Sequence, residues 1–365
     1  MTTLSNGIRV CTEAWSNQTA SVGVFIGSGS RNETLESSGS AHFLEHLMFK
    51  GTSNRTRVQL ETEVENLGMQ LNAYTSREHT VVHSQCFPKD TAKAIEIIGD
   101  MVSNSRFDSQ AIELERETIT QELEETNKDF FETLMENVYF NIYREHMMGQ
   151  PILGDLDNIK SITQEQILDF YHRNYYGKNM VLVATGNVRH DDIVDMAEKS
   201  LGKIPATTHL ERRNTERPIY IPACQFVRDD EMVNSNIGAF FDAPSWHDPD
   251  YYGFLVFQRI FGNYKIDENG THLNNPLKQY NQMQAALGQL CDVTKSECVY
   301  SPYSDCGIFG NYIFGNEIFT RQMAYCGLSM PAYYAQFTHE VEVVRARAKL
   351  YNELTQIQSA QDTMQ

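Results

Sequence analysis

His42, Glu45 and His46 fall within the stretch Ser40-Ala41-His42-Phe43-Leu44-Glu45-His46-Leu47-Met48-Phe49-Lys50-Gly51-Thr52. On a helix the two imidazoles sit one turn apart on a shared face, and Glu45 lies on the same side. Phe43, Leu44, Leu47, Met48 and Phe49 supply an apolar flank that would bury such a helix. Histidine nitrogen is a good Zn²⁺ ligand, and the H-x-x-E-H spacing sets a carboxylate able to take a proton between two of them. A catalytic zinc site also needs a third protein ligand and an open position for water. A pair of structural histidines in a core helix is the competing reading.

A third ligand must come from elsewhere in the chain. Ser109 offers an N-cap for a long acidic helix from about Gln110 to Glu145. Within it Glu115, Glu122, Asp129 and Glu136 recur every seven residues and so share a face. A solvated acidic face is the default explanation of that stripe. Zn²⁺ already held by two neutral imidazoles favours an anionic third ligand, and this helix presents several.

The surrounding elements read as follows. Leu4-Ser5-Asn6-Gly7-Ile8-Arg9-Val10 predicts strand, turn, strand, and Ala20 to Ile26 alternates as a core strand. Val58 to Asn66 is a short helix closed by Gly68. Met69 to Thr75 and Thr80 to Phe87 predict a strand pair, in which His79 and His83 are isolated histidines rather than a second metal site. Thr91 to Ser103 is an amphipathic helix. Helices at Gln164 to Tyr171 and Asp191 to Leu201 flank a buried strand at Met180 to Gly186. Thr207 to Pro222, with scattered charges and two prolines, reads as a linker. Beyond it, Ser235 to Asp242 and Tyr251 to Gly262 repeat the order strand, turn, apolar helix, with Phe257-Gln258-Arg259-Ile260-Phe261 where the histidines stood.

The 365 residues suffice for two domains, and 41% apolar with 21% charged residues is ordinary for a globular chain. No run of about 18 uncharged apolar residues predicts a membrane span. A net charge of −18 argues against nucleic acid and anionic membranes, and favours basic partners. Seven cysteines without a C-x-x-C pair suit a reducing compartment, and the wide spacing of Cys291, Cys298 and Cys306 does not suggest a zinc knuckle. The sequon Asn17-Gln18-Thr19 is then a chance match. The N-terminus shows neither a signal peptide nor an arginine-rich transit peptide.

With both helices placed, the chain resembles the M16 (pitrilysin-like) zinc metallopeptidases. The resemblance is dense from Leu4 to about Pro205. It rests on Gly39 to Thr52, on Leu71-Asn72-Ala73-Tyr74-Thr75-Ser76-Arg77-Glu78, and on Ala111-Ile112-Glu113-Leu114-Glu115-Arg116-Glu117 with Gln121-Glu122. The second half is matched best by Tyr303-Ser304-Asp305-Cys306-Gly307-Ile308-Phe309-Gly310. The resemblance implies an α+β fold of two related domains, each a mostly antiparallel sheet packed against helices. It implies a catalytic domain over 1–205, a linker over 206–222, and a shortened, metal-free domain over 223–365.

Carried over residue by residue, it implies His42, His46 and Glu122 as ligands of one Zn²⁺ per chain, Glu45 as the base and Glu115 as a supporting carboxylate. It further implies Asn72 and Ala73 on an edge strand that pairs with substrate, Tyr303 reaching the scissile carbonyl, and Glu132 and Glu136 receiving an arginine, beside Glu124 and Glu125. The implied activity is removal of arginine-containing targeting presequences from proteins imported into the mitochondrial matrix or a related organelle. A non-catalytic core scaffold of a respiratory bc1-type complex and a generic M16 peptidase stand as alternatives. The segment after Tyr143 is short, and Phe261 to Glu268 is not glycine-rich as in the family. Two expectations therefore stay open, pairing with an α-type subunit or activity of the chain alone.

Overall fold

The computed structural model describes residues 1–16, 18–265 and 293–359. Asn17, Cys291 and the stretch 266–268 lie outside the described residues. The chain forms two compact units, each discontinuous in sequence: Met1–Glu125 with Glu145–Glu216, and Thr126–Arg144 with the chain from Arg217 onward.

The first unit opens with β1 (Thr2–Thr3), β2 (Arg9–Ala14) and β3 (Ala20–Ile26), then α1 (Ser40–Met48) and α2 (Arg57–Asn66). A hairpin of β4 (Gln70–Thr75) and β5 (Thr80–Cys86) follows, then α3 (Thr91–Asn104) and α4 (Ser109–Thr126). After α5 (Phe130–Ile142), which belongs to the second unit, come α6 (Leu156–Ser161), α7 (Gln164–Asn174), β6 (Met180–Gly186) and α8 (His190–Leu201). The sheet order is β1-β2-β6-β3-β5-β4, antiparallel throughout except for β2 beside β6. The alternation of β3 buries Ala20, Val22, Val24 and Ile26. They share one core with Ile95 and Ile98 of α3 and Ile193 and Ala197 of α8.

Helix α1 enters that core with Phe43, Leu44, Leu47 and Met48 almost fully buried. Burial stabilises each side chain by about 1.5–3 kcal/mol. Its start is fixed twice. Gly39 adopts φ +98°, and a Cβ there would sit 2.8 Å from the Leu153 carbonyl oxygen, so only glycine fits. The buried Glu33 carboxylate accepts from the Gly39 and Ala41 backbone N–H groups at 2.9 and 2.7 Å, satisfying donors that a helix start leaves open.

The expected single helix from Gln110 to Glu145 is corrected by the structure to two. Helix α4 stops at Thr126, and Asp129 begins α5 by accepting from the N–H groups of Phe131 and Glu132. Asp129 and Glu136 therefore do not continue the face of Glu115 and Glu122. The boundary expected at 205 also differs from the compact units. Residues 212–216 are fastened to the first unit, where Arg31 donates to the carbonyls of Asn214 and Glu216 and the Asn214 amide donates to that of Glu33.

In the second unit β7 (Asn234–Asp242), β8 (Tyr264–Lys265), β9 (Val293–Pro302) and β10 (Gly307–Asn316) form an antiparallel sheet in the order β7-β10-β9-β8. Helices α9 (Tyr251–Phe261), α10 (Thr320–Phe337) and α11 (Glu340–Ser359) accompany it. Helix α5 packs on β7, and its Phe131 ring meets Tyr312 edge-on at 5.0 Å. Phe257 and Phe261, at the position that carries histidines in the first half, pack on Phe309. No described helix is long and apolar enough to cross a membrane.

Burial pushes the Glu33 carboxyl up to about 8, against the two N–H bonds that oppose the shift. Its folded pKa thus lies above its unfolded value. Its contribution to stability is fully present below about pH 4.5 and is lost as pH rises through about 8. Thermal unfolding followed from pH 5 to 9 is expected to show this decline, and Glu33→Gln to flatten it; an unchanged slope in Glu33→Gln would refute the assignment. Glu33→Ala, which removes the cap altogether, is expected to cost about 1–2 kcal/mol at pH 6.

Candidate metal centre

The centre is built within the first unit by α1 and α4. Along α4, Ile112, Glu115, Ile119 and Glu122 fall at i, i+3, i+7 and i+10 and so form one face. Ile112 and Ile119 are buried in the core, which turns Glu115 inward with them and leaves Glu122 part-exposed beside α1. Arg116, one residue past Glu115, fixes the helix by donating to the carbonyls of Ile159 and Ile162. Its guanidinium also lies 5.9 Å from the centre of the Phe43 ring on α1.

This packing brings Glu122 to both imidazoles. Its Oε1 lies 3.5 Å from His42 Nε2, and its Oε2 lies 3.2 Å from His46 Nε2. One donor atom from each of the three side chains falls within 4.8 Å of the others. A tetrahedron with metal–ligand bonds of about 2.0–2.1 Å has edges of about 3.3–3.4 Å. Each His–Glu separation is close to that edge, although the two run to different oxygens of the carboxylate, and a neutral imidazole pair with one carboxylate is a donor set suited to Zn²⁺. The residues present therefore fit the metal.

The remaining nitrogen of His46 fixes its tautomer. His46 Nδ1 lies 3.1 Å from Glu115 Oε2, and a proton donated there leaves the Nε2 lone pair for a cation. Glu115 is buried, and its other oxygen lies 2.7 Å from Lys50 Nζ. His42 Nδ1, by contrast, is buried with no hydrogen-bond partner among the described residues. Burial opposes protonation of His46, but hydrogen bonding to Glu122 and Glu115 outweighs it and raises the pKa. Donation from His42 and His46 holds Glu122 well below the usual carboxylate range. A dication held by these same atoms would displace the protons that the rings share with Glu122.

Glu45 is half-buried on the same helix, and its Oε2 accepts a 2.6 Å bond from the Thr75 hydroxyl at the end of β4. Asn72 and Ala73 lie on β4, the edge of the sheet, where the Asn72 side-chain oxygen accepts from the Ala73 N–H at 2.9 Å. Glu132 and Glu136 lie on α5 in the second unit. Tyr303 is in the same unit, and its hydroxyl donates to that of Tyr139 at 2.8 Å. The structure therefore gathers His42, Glu45, His46, Glu115 and Glu122 in one unit, with Asn72 and Ala73 on a strand of its sheet. Sequence reasoning missed three partners: Lys50 on Glu115, Thr75 on Glu45 and Glu33 at the start of α1. Lys50 carried a usable signal, since it stands four residues from His46.

The family model described as insulinase (peptidase family M16) matches residues 9–156, and the one described as peptidase M16 inactive domain matches residues 161–350. The chain belongs to peptidase family M16. Mitochondrial-processing peptidase subunit beta of Neurospora crassa is 37% identical over 96% of this chain and 73% of that protein. Its namesake in Saccharomyces cerevisiae is 36% identical over 85% of this chain and 67% of its own length. The human protein of that name is 35% identical, over 86% and 63%. A chain of complex III2 from Candida albicans superposes with a TM-score of 0.83 at 22% identity, over 97% of this chain and 81% of its own. A protease from Helicobacter pylori gives 0.81 at 18%, over 99% and 86%. These two share the fold of this chain.

Glu115→Gln keeps the shape of the side chain but loses its charge. It is expected to weaken zinc binding about 10–100-fold while leaving one zinc per chain at saturation. Competition against a coloured chelator measures this, and an unchanged affinity would remove Glu115 from the centre.

Proposed function

We propose that this M16 chain is a zinc-dependent endopeptidase that removes arginine-containing N-terminal presequences from imported proteins in the mitochondrial matrix or a related organelle. The observation that carries the reading is the convergence of His42, His46 and Glu122 beside Glu45. It occurs in a chain 35–37% identical to mitochondrial-processing peptidase beta subunits. The reading of a non-catalytic respiratory scaffold rests on the fold shared with a complex III2 chain, and the complete ligand set disfavours it.

His42, His46 and Glu122 would hold one Zn²⁺, which supplies Lewis acidity at the scissile carbonyl and acidifies the attacking water. Glu45 takes the proton of that water as it attacks and delivers it to the departing amine. Glu115 keeps the His46 Nδ1 proton in place, so the ring presents a lone pair throughout. The free edge of β4 at Asn72 and Ala73 pairs with the extended substrate backbone. Glu132 and Glu136, one turn apart on α5, are the acidic pair for an arginine of the basic presequence. An α-type subunit, as the name subunit beta suggests for the relatives, would complete the substrate cavity.

The test is cleavage of a synthetic arginine-containing presequence by the zinc-loaded chain, alone and with an α-type subunit. Cutting that stops with a chelator and falls at least about 10³-fold in Glu45→Gln is expected. Zinc-loaded protein inert under both conditions would overturn the peptidase reading.

A further inference from the structure

We propose that Thr75 is a positioning residue for Glu45, holding the base's carboxylate from the very strand assigned to the substrate backbone. The inference rests on the peptidase reading above and adds a residue to it. Side chains along β4 alternate, so Leu71, Ala73 and Thr75 share one face of the strand while Asn72 and Tyr74 take the other. Ala73 is buried and Leu71 is partly buried against the core that includes α1, which places Thr75 on the face turned to that helix. There its hydroxyl donates to Glu45 Oε2 at 2.6 Å.

The donor is itself well held. A β-branched side chain in a strand has few rotamers open to it. Thr75 stands opposite Thr80 in the β4–β5 ladder, and Ser76 closes the adjoining turn by donating its N–H to the His79 carbonyl at 2.7 Å. Glu45, by contrast, has three side-chain torsions and is only half-buried, and among the described residues this hydrogen bond restrains it. A general base must lie within hydrogen-bond reach of the proton it removes. Thr75 thus makes one rigid strand the common reference for the substrate backbone and for the group that works on it. No proton moves to Thr75 at any stage. Its work is geometric, and the cost of losing it falls on turnover.

Thr75→Val keeps the shape and the β-branch and deletes only the hydroxyl. With the presequence peptide, kcat is expected to fall about 10–100-fold, with KM within about twofold and one zinc still bound per chain. Thr75→Ser should recover most of the lost kcat. A second readout needs no activity: in metal-free protein, Thr75→Val and Glu45→Ala should lower the unfolding midpoint less together than the sum of their separate effects. Wild-type kcat in Thr75→Val overturns the proposal. So does a loss of zinc, a rise in KM that accounts for the whole defect, or strict additivity of the two midpoint shifts. Wild-type protein that binds zinc but cuts nothing would instead sink the peptidase reading, and the base with it.

Discussion

Glu115 brings a negative charge into the space between α1 and α4, and the centre is arranged around compensating it. An unpaired carboxylate so placed would cost several kcal/mol. Here one oxygen faces the His46 ring nitrogen and the other the Lys50 ammonium. Both partners come from α1 or the turn just past it, so the pairing that neutralises the charge also fixes the spacing of the two helices. Once they are set, Glu122, two turns on, has little freedom except to meet the imidazoles. The geometry of the ligands is thus a by-product of charge pairing one step behind them.

The first half of the site was legible because its chemistry and its packing signal share nine residues. His42, Glu45 and His46 declare the function, and Phe43, Leu44, Leu47 and Met48 declare the buried face. Glu115 and Glu122 were less legible, since their acidic stripe alone reads as a solvated face and only the family resemblance singled these two out. The end of α4 was not legible. Asn127-Lys128-Asp129 holds no proline or glycine, and one acidic cap within an acidic stretch looks like more of the same helix. Thr75 and Glu33 were invisible for a different reason. Each acts on α1 across a sequence distance that only the folded sheet and loops bridge.

The two halves of the chain show what the same order of elements becomes without a ligand set. In α1 the face left open by the core carries imidazoles and a carboxylate. In α9 the comparable positions hold Phe257, which stacks onto Phe309, and Phe261, which meets the same ring edge-on, and both join an aromatic core. An aromatic ring there adds about 0.5–1.5 kcal/mol of pair energy beyond burial. The first unit forgoes that stabilisation to hold charged and metal-binding groups instead. Edge strand β4 makes a similar concession, and Asn72 tempers it by satisfying the Ala73 N–H in the resting protein.

The break between α4 and α5 has a consequence for how the chain can be made and divided. The second unit borrows Thr126–Arg144 from the middle of the first, so the polypeptide passes between the units at 125/126, 144/145 and 216/217. During synthesis α5 emerges long before β7, the strand it packs on, and its Phe131 must wait for Tyr312. All residues of the first unit up to Glu216 are out before β7 emerges. No single cut separates the two units. A fragment ending in the linker would carry α5 as an orphan, and its complement would lack the helix that covers β7.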